Sequence, residues 1–327
     1  MDYYIKTIYR SKIRNAGLKA PLDTFEILKK NAYKPLYIIE TFDNSPFTSK
    51  IISFFQYLFI YLRINKNDTV FLQYPNYLYE VDNLYKLLVK KNPKIQILIH
   101  DLNSMKFRNN NIEYVDLLRK ANVVIVHTPK MKEILEEKYG LQNDIRILHL
   151  FDYIVEKECM IPSEFKNSLV YAGNLTNNLF LKKIQLKTYV YGKKEDWLDF
   201  NKYIQYEGEF NPEDLSKVKG DWGLLWYGNN LDQFDDTLLG KYCTFISSHK
   251  ASLYLAANKP IITWSKTAMG EFITKEKLGI VVDSLDNIEE VLSELTESDI
   301  EIIKHNVRVY SERIRNGEML SGILKSL

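Results

Sequence analysis

His249 and Lys250 head an apolar stretch, HKASLYLAANKPII, that reads as a helix running into a strand. A lysine in that place can meet a phosphate or diphosphate as a point charge, and the positive end of the helix adds to it. The strand-like Val170-Tyr171-Ala172 runs into Gly173-Asn174-Leu175, a small turn that lets backbone N–H groups approach the same kind of anion. Residues 267–271, ending in Glu271, open another helix and can add further amides. For taking a proton, the candidates are the His100-Asp101 pair at the end of an apolar run, with Glu80 as a second choice. Each feature also has an ordinary reading: a solvated lysine at a helix start, a glycine ending a strand, an aspartate capping the next segment.

Other chemistries lack their residues. The chain has no GxGxxG, no GxxxxGK[ST] and no GxSxG, which removes the usual dinucleotide, P-loop and hydrolase signatures. Its histidines show no HxxxH pairing, Cys159 and Cys243 form no CxxC, and Asp235-Asp236 stands alone in a polar loop. No metal site is expected, and the cysteines read as reduced thiols. With 44 Lys and Arg against 42 Asp and Glu, the net charge of +2 speaks against nucleic acid as a partner.

The elements that must position these residues alternate. Strands are expected at 3–8, 36–40, 69–73, 95–99, 123–126 and 145–148, and again at 168–171, 187–191, 203–207, 222–226, 260–264 and 279–282. Helices are expected from a capping box at Asp23 and Glu26, and over 51–64, 79–90, 130–139, 212–217, 247–258, 268–276, 287–295 and 299–311. Apolar strands alternating with helices mean α/β architecture with parallel sheets covered on both faces. A polar stretch at 152–167 is the linker candidate, so the expected domains are 1–152 and 153–310, with 311–327 as a C-terminal helix that packs back on the first. The strand ends of the two halves would face each other across a cleft. Residues 15–21, after the first strand, read as a mobile acceptor loop in which Lys19 contacts a substrate.

Asp2, Lys6 and Arg10 interrupt any N-terminal signal sequence, so a cytoplasmic location is expected. Residues 51–64 (IISFFQYLFIYLRI) fall short of the roughly 20 needed to span a bilayer. They read first as a core helix. A membrane-surface role is kept open by Phe54, Phe55, Phe59 and Tyr61, flanked by Lys50, Arg63 and Lys66.

Several short motifs in order carry a family resemblance. They are Gln73-Tyr74-Pro75 with Glu80, Ile99-His100-Asp101-Leu102 with Met105, and Ala172-Gly173-Asn174. Gly223-Leu224-Leu225-Trp226 follows, then Lys250 with Leu255-Ala256-Ala257, and Glu271 before Leu278-Gly279. Together they resemble the GT-B glycosyltransferases, and more narrowly the bacterial adhesin-glycan glucosyltransferases and β-1,6-galactofuranosyltransferases. The resemblance implies two Rossmann-like doubly wound domains, with the acceptor held by the first and a UDP-sugar by the second. Gly173, Asn174 and Lys250 would surround the diphosphate. Tyr191 and Phe210 would lie near the nucleotide, and Asn178, His249 and Glu271 would complete the donor site. The chain departs from some relatives in carrying Thr176, Asn177 and Asn178 where they have a basic residue, and in having Phe210 in place of a tyrosine. The implied partners are a nucleotide-sugar donor and a glycan or lipid-linked glycan acceptor, with homo-oligomerisation open. No cofactor or metal is implied: an inverting transfer needs a base, and charge growing on the leaving diphosphate is met by N–H groups and a lysine. The alternatives are a non-catalytic sugar-nucleotide-binding subunit that supports a partner transferase, and a GT-B-like epimerase.

Overall fold

The computed structural model describes residues 1–8, 16–41, 46–106, 114–157, 159, 165 and 167–327. Arg10, Asn15, Pro162 and much of the expected linker lie outside them. The chain divides into two compact units, one of Met1–Leu148 with Ser321–Leu327, the other of His149–Leu320.

In the first unit, strands and helices alternate. β1 (Asp2–Ile8), α1 (Ala16–Lys30), β2 (Lys34–Ile39), α2 (Pro46–Arg63), β3 (Thr69–Tyr74) and α3 (Val81–Lys91) come first. β4 (Lys94–Ile99), α4 (Asn103–Lys106), α5 (Val115–Lys120), β5 (Val123–Val126), α6 (Pro129–Tyr139) and β6 (Asp144–Ile147) complete the series. The six strands form one parallel sheet in the order β2-β1-β3-β4-β5-β6. Val123–Val126 is buried at every position, the signature of a strand covered on both faces. The winding reverses between β1 and β3, the switch point at which open α/β sheets place ligands.

α1 corrects the expectation for residues 15–21. Residues 16–21 are its first turns, and Asp23 lies inside it rather than at a cap. The helix continues through Pro21 because Ala20, Phe25, Ile27 and Leu28 are buried, and because Lys19 Nζ meets Asp23 Oδ1 at 2.8 Å across one turn. Packing thus overrides the local cost of an interior proline.

The second unit contains β7 (Leu169–Ala172), β8 (Thr188–Tyr191), β9 (Ile204–Gly208) and β10 (Trp222–Leu225), then α7 (Leu238–Phe245) and α8 (His249–Ala256). β11 (Ile261–Trp264), α9 (Ala268–Glu276), β12 (Gly279–Val282), α10 (Ile288–Ser293), α11 (Glu297–Arg315) and α12 (Glu318–Lys325) follow, and the boundary between the units falls within α12. The expected 212–217 helix is a short 3₁₀ turn at Leu215–Lys217. The parallel sheet runs β12-β11-β10-β7-β8-β9, which, counted from β7, is the Rossmann order 3-2-1-4-5-6. Here the switch point lies between β7 and β10.

Those two strands pair only through Trp222 with Leu169 and Gly223 with Val170. Beyond that, Tyr254 of α8 occupies the gap. Its hydroxyl accepts the Ala172 N–H at 2.9 Å and donates to the Leu224 carbonyl at 3.3 Å. Gly223 lacks a side chain where a Cβ would lie 2.3 Å from the Tyr254 ring. One buried tyrosine thus satisfies the backbone of two diverging strands and keeps a crevice open at their carboxyl ends.

Candidate functional site

The crevice of the second unit is lined by the carboxyl ends of β10 and β11 and the starts of α8 and α9, and with the open solvent at its mouth it encloses about 470 Å³. Leu225, Trp226 and Tyr227 come from β10 and the turn after it, Thr263 from β11, Ser248 and Lys250 from the α8 start, and Thr267 and Met269 from the α9 start. Both helices are capped toward it: Ser248 Oγ accepts the Lys250 N–H at 3.3 Å, and Thr267 Oγ1 accepts the Gly270 N–H at 2.9 Å. Two helix N-termini on one crevice make it electropositive without any formal charge.

Lys250 adds that charge. Its ammonium donates to Tyr171 Oη at 2.8 Å and lies 4.2 Å from the centre of that ring. Desolvation holds its pKa down at about 8, and the offsetting influence among the described residues is the Cys243 thiol, not a carboxylate. A cation removed from water without an anionic partner is costly unless a ligand brings the anion. Tyr171 cannot supply one, because burial pushes its phenol well above the usual value.

Gly173 lies against the Lys250 side chain. Its φ is +151°, and a Cβ there would sit 2.8 Å from Lys250 Cε, so only glycine lets the lysine lie over this turn. Asn174 Oδ1 accepts from Thr176 Oγ1 at 2.9 Å and from the Asn177 N–H at 3.0 Å, which folds the turn on itself. Asn178 is buried, and both ends of its amide are engaged. Nδ2 donates to the Asn174 carbonyl at 2.7 Å, and Oδ1 accepts the Gly228 N–H at 3.1 Å. It ties the turn after β7 to the one after β10.

Tyr191 ends β8, with its hydroxyl accepting the Lys219 N–H at 2.8 Å and donating to the Lys217 carbonyl at 3.2 Å. Its ring meets Phe210 edge-on at 5.5 Å, so a pinned tyrosine positions a half-buried phenylalanine. His249 is stacked on Tyr153 at 5.1 Å and does not line the crevice, although it neighbours Lys250. Glu271 is an exposed acid in the first turn of α9.

The proton-transfer candidates lie in the first unit. His100 follows β4, and its Nε2 is 2.6 Å from Gln73 Oε1 at the end of β3. Gln73 Nε2 donates to the Pro21 carbonyl at 3.1 Å, which turns Oε1 toward the imidazole. An amide oxygen can only accept, so Nε2 of His100 is the donor in this bond. Asp101 accepts from Lys106 at 3.0 Å. Glu80 is the left-handed residue preceding α3, with Oε2 accepting from Asn83 at 2.9 Å and Lys50 3.8 Å from Oε1. Lys19 does not belong to a mobile loop: it is 4% exposed and paired with Asp23.

Asp235 accepts from the Asn229 N–H at 2.8 Å and shapes the 228–230 turn, while Asp236 pairs with Lys241. Among the described residues no group of three or more His, Cys, Asp or Glu is placed to hold a metal ion. Sequence reasoning missed Tyr171, Tyr254 and the wall made by Trp226, Tyr227 and Phe234. All are aromatic residues that in the sequence look like core. Only the requirement that a buried hydroxyl find a partner singles out the two tyrosines.

Residues 169–327 match the family described as glucosyltransferase 3-like, C-terminal domain, and residues 2–150 match the glucosyltransferase 3-like N-terminal domain. Beta-1,6-galactofuranosyltransferase WbbI of Escherichia coli (strain K12) is 25% identical over 333 residues, covering 99% of this chain and 98% of its own. Among solved structures, the lipopolysaccharide outer core galactosyltransferase WaaB in its apo form matches with a TM-score of 0.57 at 12% identity, over 99% of this chain and 100% of that one. Trehalose-6-phosphate from E. coli bound with UDP-2-fluoro glucose matches with a TM-score of 0.56 at 11% identity, over 99% and 98%. With both halves matched, and each unit built on a six-stranded parallel sheet, the chain belongs to the glucosyltransferase 3-like family of glycosyltransferases.

Proposed function

We propose that the protein transfers a hexose, glucose or galactofuranose, from a UDP-sugar to a carbohydrate acceptor, with the second unit binding the donor. The acceptor class is a surface polysaccharide or a glycoprotein glycan. The observation that carries this reading is Lys250: a desolvated ammonium on which no carboxylate among the described residues acts, beside two helix N-termini and the Gly173 turn. A diphosphate supplies the missing negative charge. As the acceptor oxygen bonds to the anomeric carbon, the bond to the diphosphate breaks and UDP departs with the electron pair. Lys250 and the amides at the α8 and α9 starts stabilise that growing charge. In an inverting transfer the acceptor proton passes to a base of the first unit, His100, Asp101 or Glu80. The sugar classes are those named for the family and for the galactofuranosyl relative. UDP is taken from the nucleotide bound in the trehalose-6-phosphate structure.

Titration calorimetry with UDP tests it. A charge-assisted contact is worth roughly 1.5–3 kcal/mol, so Lys250→Ala should weaken UDP binding by on the order of 10- to 100-fold. Unchanged affinity removes Lys250 from the donor site. Transfer activity should survive EDTA, because a lysine and backbone amides take the role of a leaving-group metal. Loss with EDTA and recovery with Mn²⁺ or Mg²⁺ would overturn that part.

A further inference from the structure

α2 has one face in the first unit and a second, apolar face in solvent. Ser49, Ser53, Tyr57 and Ile60 recur at helical spacing and are buried. On the outer side, Phe47, Phe54, Phe55, Phe59 and Leu62 are each at least 60% exposed. Gln56 fixes the helix along the sheet edge, accepting the Ile39 N–H at 2.6 Å and donating to the Ile39 carbonyl at 3.2 Å. A contiguous apolar face of this kind is uncommon on a monomer and marks a contact surface.

Charge decides the occupant. The helix sequence PFTSKIISFFQYLFIYLR contains no Asp or Glu. At about 100° per residue, its outward apolar centre lies near Ile51, Phe55 and Leu62, and Lys50 and Arg63 fall on its two borders. Lys50 is 67% exposed and its carboxylate neighbour, Glu80, is 3.8 Å away; Arg63 and Lys66 are exposed at the far end. Two copies joined along this face would align cations with no acid on either helix to answer them. An anionic bilayer answers both features, taking the aromatic face into the headgroup–acyl boundary and the cations to lipid phosphates. No helix among the described residues is long and apolar enough to cross a membrane. The helix would therefore lie in the plane of the surface.

We propose that α2 is an in-plane anchor that seats the first unit on anionic lipid. The full chain is sedimented with vesicles of 70:30 phosphatidylcholine:phosphatidylglycerol and of phosphatidylcholine alone, at low salt and at 1 M NaCl. Binding is expected to the anionic vesicles at low salt and to fade at 1 M, where the screening length is only about 3 Å. Replacing Lys50, Arg63 and Lys66 together by Gln should weaken it on the order of 100-fold. Phe55→Ser with Phe59→Ser should abolish it while the far-ultraviolet circular dichroism stays unchanged. No co-sedimentation at either salt, or equal binding to neutral vesicles, overturns the proposal. So does an oligomer that the Phe55/Phe59 variant converts to monomer without any vesicle binding, which would make this face a contact between copies.

Discussion

At the scale of the residue, Lys250 is the group on which the donor reading rests, and its pKa makes that reading measurable. Held at about 8 by desolvation, it is charged below that pH in the free protein and loses its proton above it. A bound diphosphate favours the charged form and raises the pKa again. UDP affinity should therefore be flat below pH 8 and fall as pH rises through 8, by up to tenfold per unit, until the pKa of the complex is reached. Calorimetry between pH 6.5 and 9.5 checks the slope, and Lys250→Met should erase it. Stability runs the other way. The folded pKa lies below the unfolded value, so the folded state binds fewer protons between pH 8 and about 10.5, and keeping Lys250 charged costs the apo protein stability below 8. Lys250→Met, similar in length and uncharged, should accordingly have a thermal midpoint at or above the parent's in the absence of UDP. A clear drop would mean that Lys250 serves the fold.

At the scale of the element, α1 shows how a buried pair can decide local structure. Lys19 and Asp23 are 4% and 7% exposed in their side chains and bracket Pro21 on one helix face. Removing one partner breaks a buried ion pair, at a cost of up to about 3–5 kcal/mol. Asp23→Ala should lower the unfolding free energy extrapolated from urea titration by that order, and the double change Lys19→Met, Asp23→Leu should recover much of the loss. If Asp23→Ala is neutral in urea but impairs acceptor use, Lys19 regains a place in substrate binding. The pattern of α2 carries a similar lesson: its sequence is apolar almost all round, and only packing separates the half that is core from the half that is surface.

At the scale of the whole molecule, the path of the chain matters. Asp152, buried just after the first unit ends, accepts the N–H groups of Met319 at 3.0 Å and Leu320 at 2.9 Å. It thus caps α12, within which the chain passes back to the first unit, where Ser321 accepts from Asn31 at 2.9 Å. A cap of this kind is worth about 0.5–2 kcal/mol. Asp152→Ala should speed hydrogen exchange of the α12 amides well before it lowers the global midpoint. Uniform slowing or no change in that segment would show that the cap is not what holds it.

Alternation of apolar runs and helical periods determined the α/β class and located the strands of the described residues; the central ones, such as β5 and β7, are apolar along their length because they are buried on both faces, whereas the edge strands β2 and β9 are partly exposed. Single short motifs drew attention to Gly173, Lys250 and His100, since a glycine turn after a strand, a lysine at a helix start and a histidine at a strand end are each visible locally. What tertiary structure decided is what distant residues do to one another. Tyr254 bridging β7 and β10, Tyr171 beneath Lys250, and Asn178 joining two turns are pairings across 30 to 82 residues of chain. Lys19 moved from a surface role to a buried one for the same reason. Burial, and with it the pKa of Lys250 and the free face of α2, depends on which neighbours remove water, and no local pattern of residues specifies that.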